Sequence, residues 1–389
     1  MVKLLPLFFV LGIAVLVGCG GDGGDTTDTT SGRVVPTPTP TVPSSTPVPV
    51  LVTTEADLVQ PRELFTATLL TDGRVLVTGG QSRGIPLTLT EIYDPATGQW
   101  TETGSMAQER ADHDAVLLKD GRVLVTGGGR STAPLATTEL YDPATGAWTT
   151  TGGMAQPRIF FRLVALNDGR ALAIGGRTTG RTDIAATELY DPDTGTWSAA
   201  GDMSQSRTRH TATVLKDGRV LVAGGGNKAV YTSSAEVFDP ATNTWTLTDS
   251  MHAIRAEHEA TLLGTGEVLV LGGFGGSNLL ASAEVWDRST GKWSSAGQTS
   301  QDLHRHRLVT LPDGRAFVLG GFTQSSPSHV VVEVEEYDPV LGVWEVVGKI
   351  NNERRNHSAV VLENGDVLVI SGESNLGQMQ PTSELYRPQ

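Results

Sequence analysis

The chain has 389 residues, 38% of them hydrophobic, and a formal charge of −14 at pH 7. That is enough apolar content to bury a core, and the acidity excludes a general nucleic-acid binder, whose affinity comes from neutralising phosphates. The 46 glycines and the scarcity of helix signals favour an all-β, turn-rich fold, and the single cysteine excludes an internal disulfide.

At the N-terminus Lys3 precedes an apolar run over 4–17, which ends in Leu16, Val17, Gly18 and Cys19. A positive start, a short apolar stretch and small residues before a cut describe a secretory signal, not a membrane span. The Leu-Val-Gly-Cys ending resembles a bacterial lipobox. The resemblance implies that residues 1–18 are removed and that Cys19 is lipidated as the mature N-terminus. The protein would then be held at the extracytoplasmic surface of a bacterial envelope, touching the membrane through this anchor alone. More than one acyl chain on one residue anchors firmly where a single chain binds marginally. The alternative is an ordinary signal with an incidental thiol. Gly20, not Asp, follows the cysteine, so no signal for inner-membrane retention is present. Residues 19–49 read as a Gly/Thr/Pro-rich linker, with six prolines from Pro36 to Pro49. Asp22, Asp25 and Asp28 lack the Gly turn and final Glu of a calcium loop and belong to that solvated linker.

From residue 50 to 389 the sequence repeats. Gly pairs recur at Gly79-Gly80, Gly127-Gly128, Gly175-Gly176, Gly224-Gly225, Gly272-Gly273 and Gly320-Gly321, and Ser371-Gly372 is a degenerate seventh copy. The steps are 48 to 51 residues, a period typical of propellers and arrays. Each pair ends an apolar run such as Val75-Leu76-Val77. Most runs follow an Asp-Gly or Asn-Gly step (Asp72-Gly73, Asn364-Gly365), which predicts a two-residue hairpin turn with both central residues at positive φ. Later in six of the units an aromatic-acid step stands seven residues before a tryptophan, as in Tyr93-Asp94 and Trp100. The Asp-Pro-Ala-Thr-Gly-type connector between the two rings predicts a tight hairpin that brings them together. Each unit therefore reads as four antiparallel strands, and one such sheet covers both faces only when stacked around an axis.

The Gly pair, the later Tyr…Trp pair and an Arg-x-x-His at the start of each unit resemble the Kelch repeat. Arg-x-x-His stands at Arg110/His113, Arg207/His210, Arg255/His258 and Arg354/His357, and is altered to Arg62/Phe65, Arg158/Phe161 and Leu303/His306. The resemblance implies a seven-bladed β-propeller of four-stranded antiparallel sheets, similar to the central domain of galactose oxidase. The last unit ends after its third strand. The segment 50–54 stands ten residues before Arg62, as Trp100 stands ten before Arg110, so it is expected to close blade seven as its outer strand.

Residues present in every unit belong to the fold, since one site does not need seven copies. On that rule the Trp series, the connector aspartates and Glu91, Glu139, Glu188, Glu236, Glu284, Glu335 and Glu384 read as structural. The position after each His varies instead: Thr66, Asp114, Arg162, Thr211, Glu259, Arg307 and Ser358. Blade six also gathers His304, Arg305, His306 and Arg307. The candidate ligand-binding residues are Arg62, Arg110, Arg158, Arg162, Arg207, Arg255, His306, Arg307 and Arg354. The loops of the same face add Arg83, Arg130, Arg177, Arg181, Lys228, Tyr231, Phe274, Asn278 and Gln378. For the recurring arginines the alternative is pairing with the recurring glutamates inside the blades. Arg forks on this face suit acidic glycans or carboxylate-bearing peptides.

Galactose oxidase has a copper site with a tyrosine–cysteine crosslink, for which this chain has no cysteine beyond Cys19. No metal, cofactor or catalytic residue is therefore expected. The reading is a lipid-anchored surface module for a glycan or protein ligand. The alternatives are a carbohydrate-active enzyme, of the kind in which Kelch propellers isomerise sugars, and a purely structural envelope protein.

Overall fold

The computed structural model describes residues 51–388, apart from 131, 132, 229 and 326. The signal 1–18, Cys19 and the linker lie outside the described residues, as does the side chain of Arg130.

Among the described residues seven antiparallel blade sheets follow one another, six with four strands and one with five, and four two-stranded ribbons accompany them. The extra strand, Ala133–Pro134, pairs with a lengthened second strand, Val123–Arg130, in blade two. The second strands, such as Val75–Thr78 and Val220–Ala223, are buried along their whole length. This is why they read as unbroken apolar runs: both faces are covered by neighbouring blades. Each core lies between two blades. Leu76 and Ile92 of blade one, for example, share a cluster with Val123, Val125 and Tyr141 of blade two.

The inner strands touch their neighbours in sequence and the circle closes, with Thr66–Leu69 of blade one against Ser358–Val361 of blade seven. Closure is made as the repeat count required. Leu51–Thr54 pairs antiparallel with Ser383–Arg387 as the outer strand of blade seven, in register Val52 to Tyr386 and Thr54 to Glu384. The degenerate Gly pair also belongs to this seam. Where the other blades have glycine, Ser371 takes φ +52° and its hydroxyl donates to the carbonyl of Arg62 at 2.9 Å. Ser371 Oγ in turn accepts from the Arg62 N–H at 2.9 Å.

The inner hairpins differ from expectation. Gly73 has φ +83° but Asp72 does not enter the left-handed region. Leu70 N–H donates to the Arg74 carbonyl and Gly73 N–H to that of Leu70, enclosing a three-residue loop, 71–73. Its tight turn ends in a left-handed glycine, so the Asp-Gly step is not a two-residue turn. The reason is the aspartate side chain, which accepts from Arg74 N at 3.1 Å and from Arg74 Nε at 2.8 Å.

Candidate functional site

The recurring aromatics and ions form the frame around the axis. Tyr93 and Trp100 pack with centroids 5.2 Å apart, and the equivalent pairs of blades two, three, four and six lie at 5.1–5.3 Å. The indoles also staple blade to blade: Trp148 Nε1 donates to Gly104 O at 2.8 Å and Trp245 Nε1 to Gly201 O at 2.7 Å. Six arginines, Arg62, Arg110, Arg158, Arg207, Arg255 and Arg354, are 0% exposed. Each pairs with the glutamate of its own blade: Arg110–Glu139 at 2.8 Å, Arg207–Glu236 at 2.7 Å, Arg354–Glu384 at 2.5 Å, and likewise Arg62–Glu91, Arg158–Glu188 and Arg255–Glu284. Arg110 Nη1 also donates to the carbonyls of Gly127 and Thr137, and Glu139 accepts from Ala107 N at 2.7 Å. These six are corrected from ligand-binding candidates to internal braces, because their terminal donors are spent on buried acceptors. Blade six is the exception. Leu303 fills the arginine position, and Glu335 accepts from the backbone N–H and hydroxyl of Ser300 instead.

His306 is corrected as well. It is 0% exposed, neither ring nitrogen has a hydrogen-bond partner of normal geometry among the described residues, and burial pushes its pKa down to about 3. His113, His210, His258 and His357 are equally deep, and burial holds all four well below the ordinary histidine range. His113 Nε2 lies 3.1 Å from Thr66 Oγ1, and His258 Nε2 lies 3.1 Å from Thr211 Oγ1. Where the preceding blade carries Arg162, Glu259 or Arg307 instead of a threonine, neither nitrogen of the next histidine (His210, His306 or His357) has a hydrogen-bond partner of normal geometry among the described residues.

Arg162 and Arg307 stand apart from the buried set. Together with Glu259 they line two cavities, one of about 490 Å³ and one of about 270 Å³. The three shared side chains divide the axial space into an upper and a lower chamber. Arg307 Nη1 donates to Glu259 Oε1 at 2.5 Å. Arg162 Nε donates to the His210 carbonyl at 3.1 Å, and its two terminal nitrogens have no protein partner among the described residues. Asp114 lines the lower chamber and accepts from Leu163 N at 2.8 Å and Ala115 N at 2.9 Å. Burial raises its pKa, opposed by the charge of Arg162.

Above this belt lies a second one that sequence reasoning missed. The residue before each His position (Leu64, Asp112, Phe160, Arg209, Glu257, Arg305 and Asn356) has φ between +52° and +56°. The left-handed region is costly for leucine and phenylalanine. The backbone accepts it because N–H groups donate from blade to blade: Asp112 to Leu64 O, Arg209 to Phe160 O, Glu257 to Arg209 O and Asn356 to Arg305 O. Six of the seven line the upper chamber. There the Arg209 guanidinium lies 4.7 Å over the Phe160 ring and pairs with Glu257, and Asn356 Nδ2 donates to Glu63 Oε2 at 2.7 Å. Arg305 is exposed and has no acidic partner among the described residues. The one available signal was variability within an otherwise regular repeat.

Of the loop residues, Arg177 pairs with Asp183 at 2.6 Å. Tyr231, Phe274, His304 and Phe322 run ring against ring, with centroids 4.9–6.3 Å apart.

The KLHDC2/KLHL20/DRC7 Kelch-repeats domain model matches residues 160–372, more than half of the chain, and the Kelch motif model matches 65–107 and 115–155. This chain belongs to the Kelch-repeat family. Among solved structures, the Kelch propeller is similar to a fungal alcohol oxidase of the AA5 family in complex with copper. The TM-score is 0.71 at 18% identity, over 87% of this chain and 76% of that one. A likeness at that identity describes the fold. No curated protein matches the chain in sequence. Among the described residues no group of three His, Cys, Asp or Glu side chains is arranged to hold a metal ion. The fold is a scaffold for a binding or an enzymatic module, and its variable residues face the axial chambers.

Proposed function

We propose that this Kelch propeller is a lipid-anchored recognition module of the bacterial cell surface that captures a carboxylate-bearing glycan or peptide in its upper chamber. One observation carries the reading: Arg162 offers two unused guanidinium donors at the chamber floor, beside Arg307 and below Phe160. A guanidinium fork binds a carboxylate bidentately, and the wall of arginines and aromatic rings supplies stacking surface for a sugar or a side chain. The histidines behind the belt are buried and held neutral, which favours binding over proton transfer. Anchoring rests on the lipobox-like run ending at Cys19.

The test is a screen of acidic and neutral glycans and peptides against the full chain in detergent, with products analysed alongside. Binding of carboxylate-bearing ligands without turnover is expected. Replacing Arg162 and Arg307 together by Ala should weaken capture about 10- to 100-fold, the value of charge-assisted hydrogen bonds lost at a shielded site. Unchanged affinity in the double variant, or release of a modified sugar, would overturn the reading. Growing the organism with labelled palmitate and replacing Cys19 by Ala tests the anchor separately.

A further inference from the structure

The residues that follow the His position make a belt with two acid–base neighbours, Asp114 beside Arg162 in blades two and three, and Glu259 beside Arg307 in blades five and six. The two pairs are built alike in sequence and differently in space. Arg307 turns back onto Glu259 and closes an ion pair at 2.5 Å. Arg162 instead places its Nε on the His210 carbonyl in blade four and makes no hydrogen bond to Asp114. Asp114 reaches past the guanidinium to the backbone N–H of Leu163. One pair has neutralised itself. The other makes no direct ion pair: Asp114 accepts from backbone N–H groups, and the terminal nitrogens of Arg162 have no partner among the described residues, although both line one cavity and the charge of Arg162 still acts on Asp114.

Opposite charges held at such a place without direct contact are costly unless something else answers both. A ligand with one charge answers only half of the arrangement. A ligand carrying both signs matches it: its carboxylate on Arg162, its protonated amine on Asp114. We propose that the open Asp114–Arg162 pair selects a small zwitterion, a carboxylate and an ammonium within one amino sugar acid, amino acid or dipeptide. The inference rests on the reading that Arg162, which lines both chambers, binds carboxylates, and adds that the amine is held by Asp114 on the lower-chamber side. The closed Glu259–Arg307 pair then acts as a fixed wall, since neither of its charges seeks a partner. An amino uronic acid and the free amino acid or dipeptide share this chemistry.

The experiment is calorimetry on the full chain in detergent with three related probes: 2-amino-2-deoxyglucuronic acid, its N-acetyl derivative and glucosamine. Alanylalanine and N-acetyl-alanylalanine form a parallel arm. The free amino acid sugar or the free dipeptide should bind about tenfold tighter than its acetylated form, the scale of one added charge-assisted contact. Glucosamine should bind weakest of the sugars. Asp114→Asn should remove the preference for the free amine while leaving the acetylated acid as it was. Because the comparison is between two probes on one variant, a general loss of folded protein would lower both and not the ratio. Asp114→Glu, which keeps the charge, should retain part of the preference. Equal affinity for free and acetylated forms in the wild type sinks this inference and leaves the carboxylate reading standing, provided Arg162→Ala still weakens both. A preference that survives Asp114→Asn also sinks it. If none of the acids binds, both readings fall.

Discussion

Two sets of arginines in this propeller teach opposite lessons. The six that recur, Arg62 through Arg354, are completely buried and tied to glutamates within their blades. Those that do not recur, Arg162, Arg209, Arg305 and Arg307, face the axial chamber. The residue type is the same, and position in the repeat decides the role. An arginine found in nearly every blade braces a strand junction that every blade has. Of those found once, Arg209 and Arg307 meet Glu257 and Glu259 at the chamber wall, and Arg162 and Arg305 face the chamber without an acidic partner among the described residues. Blade six carries the control within the chain: Leu303 replaces the brace, and Glu335 settles on Ser300.

The contrast can be broken most severely at the seam. Deleting residues 51–54 removes the outer strand of blade seven and its pairing with Ser383–Arg387. The full chain should then lose its cooperative thermal transition, while a deletion confined to 29–35 in the linker should leave it intact. Next in size is the brace itself. Arg110→Ala leaves Glu139 buried without its partner and should cost about 3–5 kcal/mol in denaturant unfolding. Glu335→Gln, in the blade with no brace, should cost distinctly less. If the two variants cost the same, the braces are not what recurrence selects.

A middle-sized effect lies in acid. His113 and His306 have folded pKa values near 3 against 6.5 when unfolded, and the other three buried ring histidines shift the same way. Between those values the unfolded chain binds more protons, so stability falls as pH drops below about 6.5. Asp112, raised to about 6, works in the opposite sense, since its folded form takes up a proton first and gains stability as pH falls through 6. Five histidines outweigh Asp112 and Asp114, whose pKa burial also raises, and net acid destabilisation is expected in melts from pH 7 to 4. Phe65 and Phe161 already occupy this position in blades one and three. His306→Phe should therefore be nearly neutral at pH 7 and move the acid midpoint lower. The smallest effect belongs to the mouth: Arg209→Ala, whose ion pair with Glu257 is partly exposed, should change stability by less than about 1 kcal/mol. A larger loss would assign the upper belt to the frame.

Much of this was written in the repeat. The Gly pairs and the seven-residue aromatic spacing fix the strand pattern locally, because turns and cross-strand rings depend on neighbours in sequence. The belt at Asp114, Arg162, Glu259 and Arg307 could also be read, since a position that varies inside a periodic sequence is visible as variation. Three features could not. Whether Arg62 and its counterparts met a ligand or a glutamate depended on burial, which comes from the adjacent blade. The left-handed belt, from Leu64 to Asn356, depended on hydrogen bonds from one blade to the next. The two-residue turn expected at Asp72-Gly73 gave way to a longer loop because the aspartate bonds to Arg74.

By itself the sequence determined the unit, its number and the strand that closes the ring, all of which follow from periodicity and from where the repeat is cut. Only the tertiary structure decided which charges cancel one another. Glu259 with Arg307 and Asp114 with Arg162 are equivalent neighbours along the repeat, but side-chain length, the reach of each guanidinium and the carbonyls within its range closed one pair and left the other open.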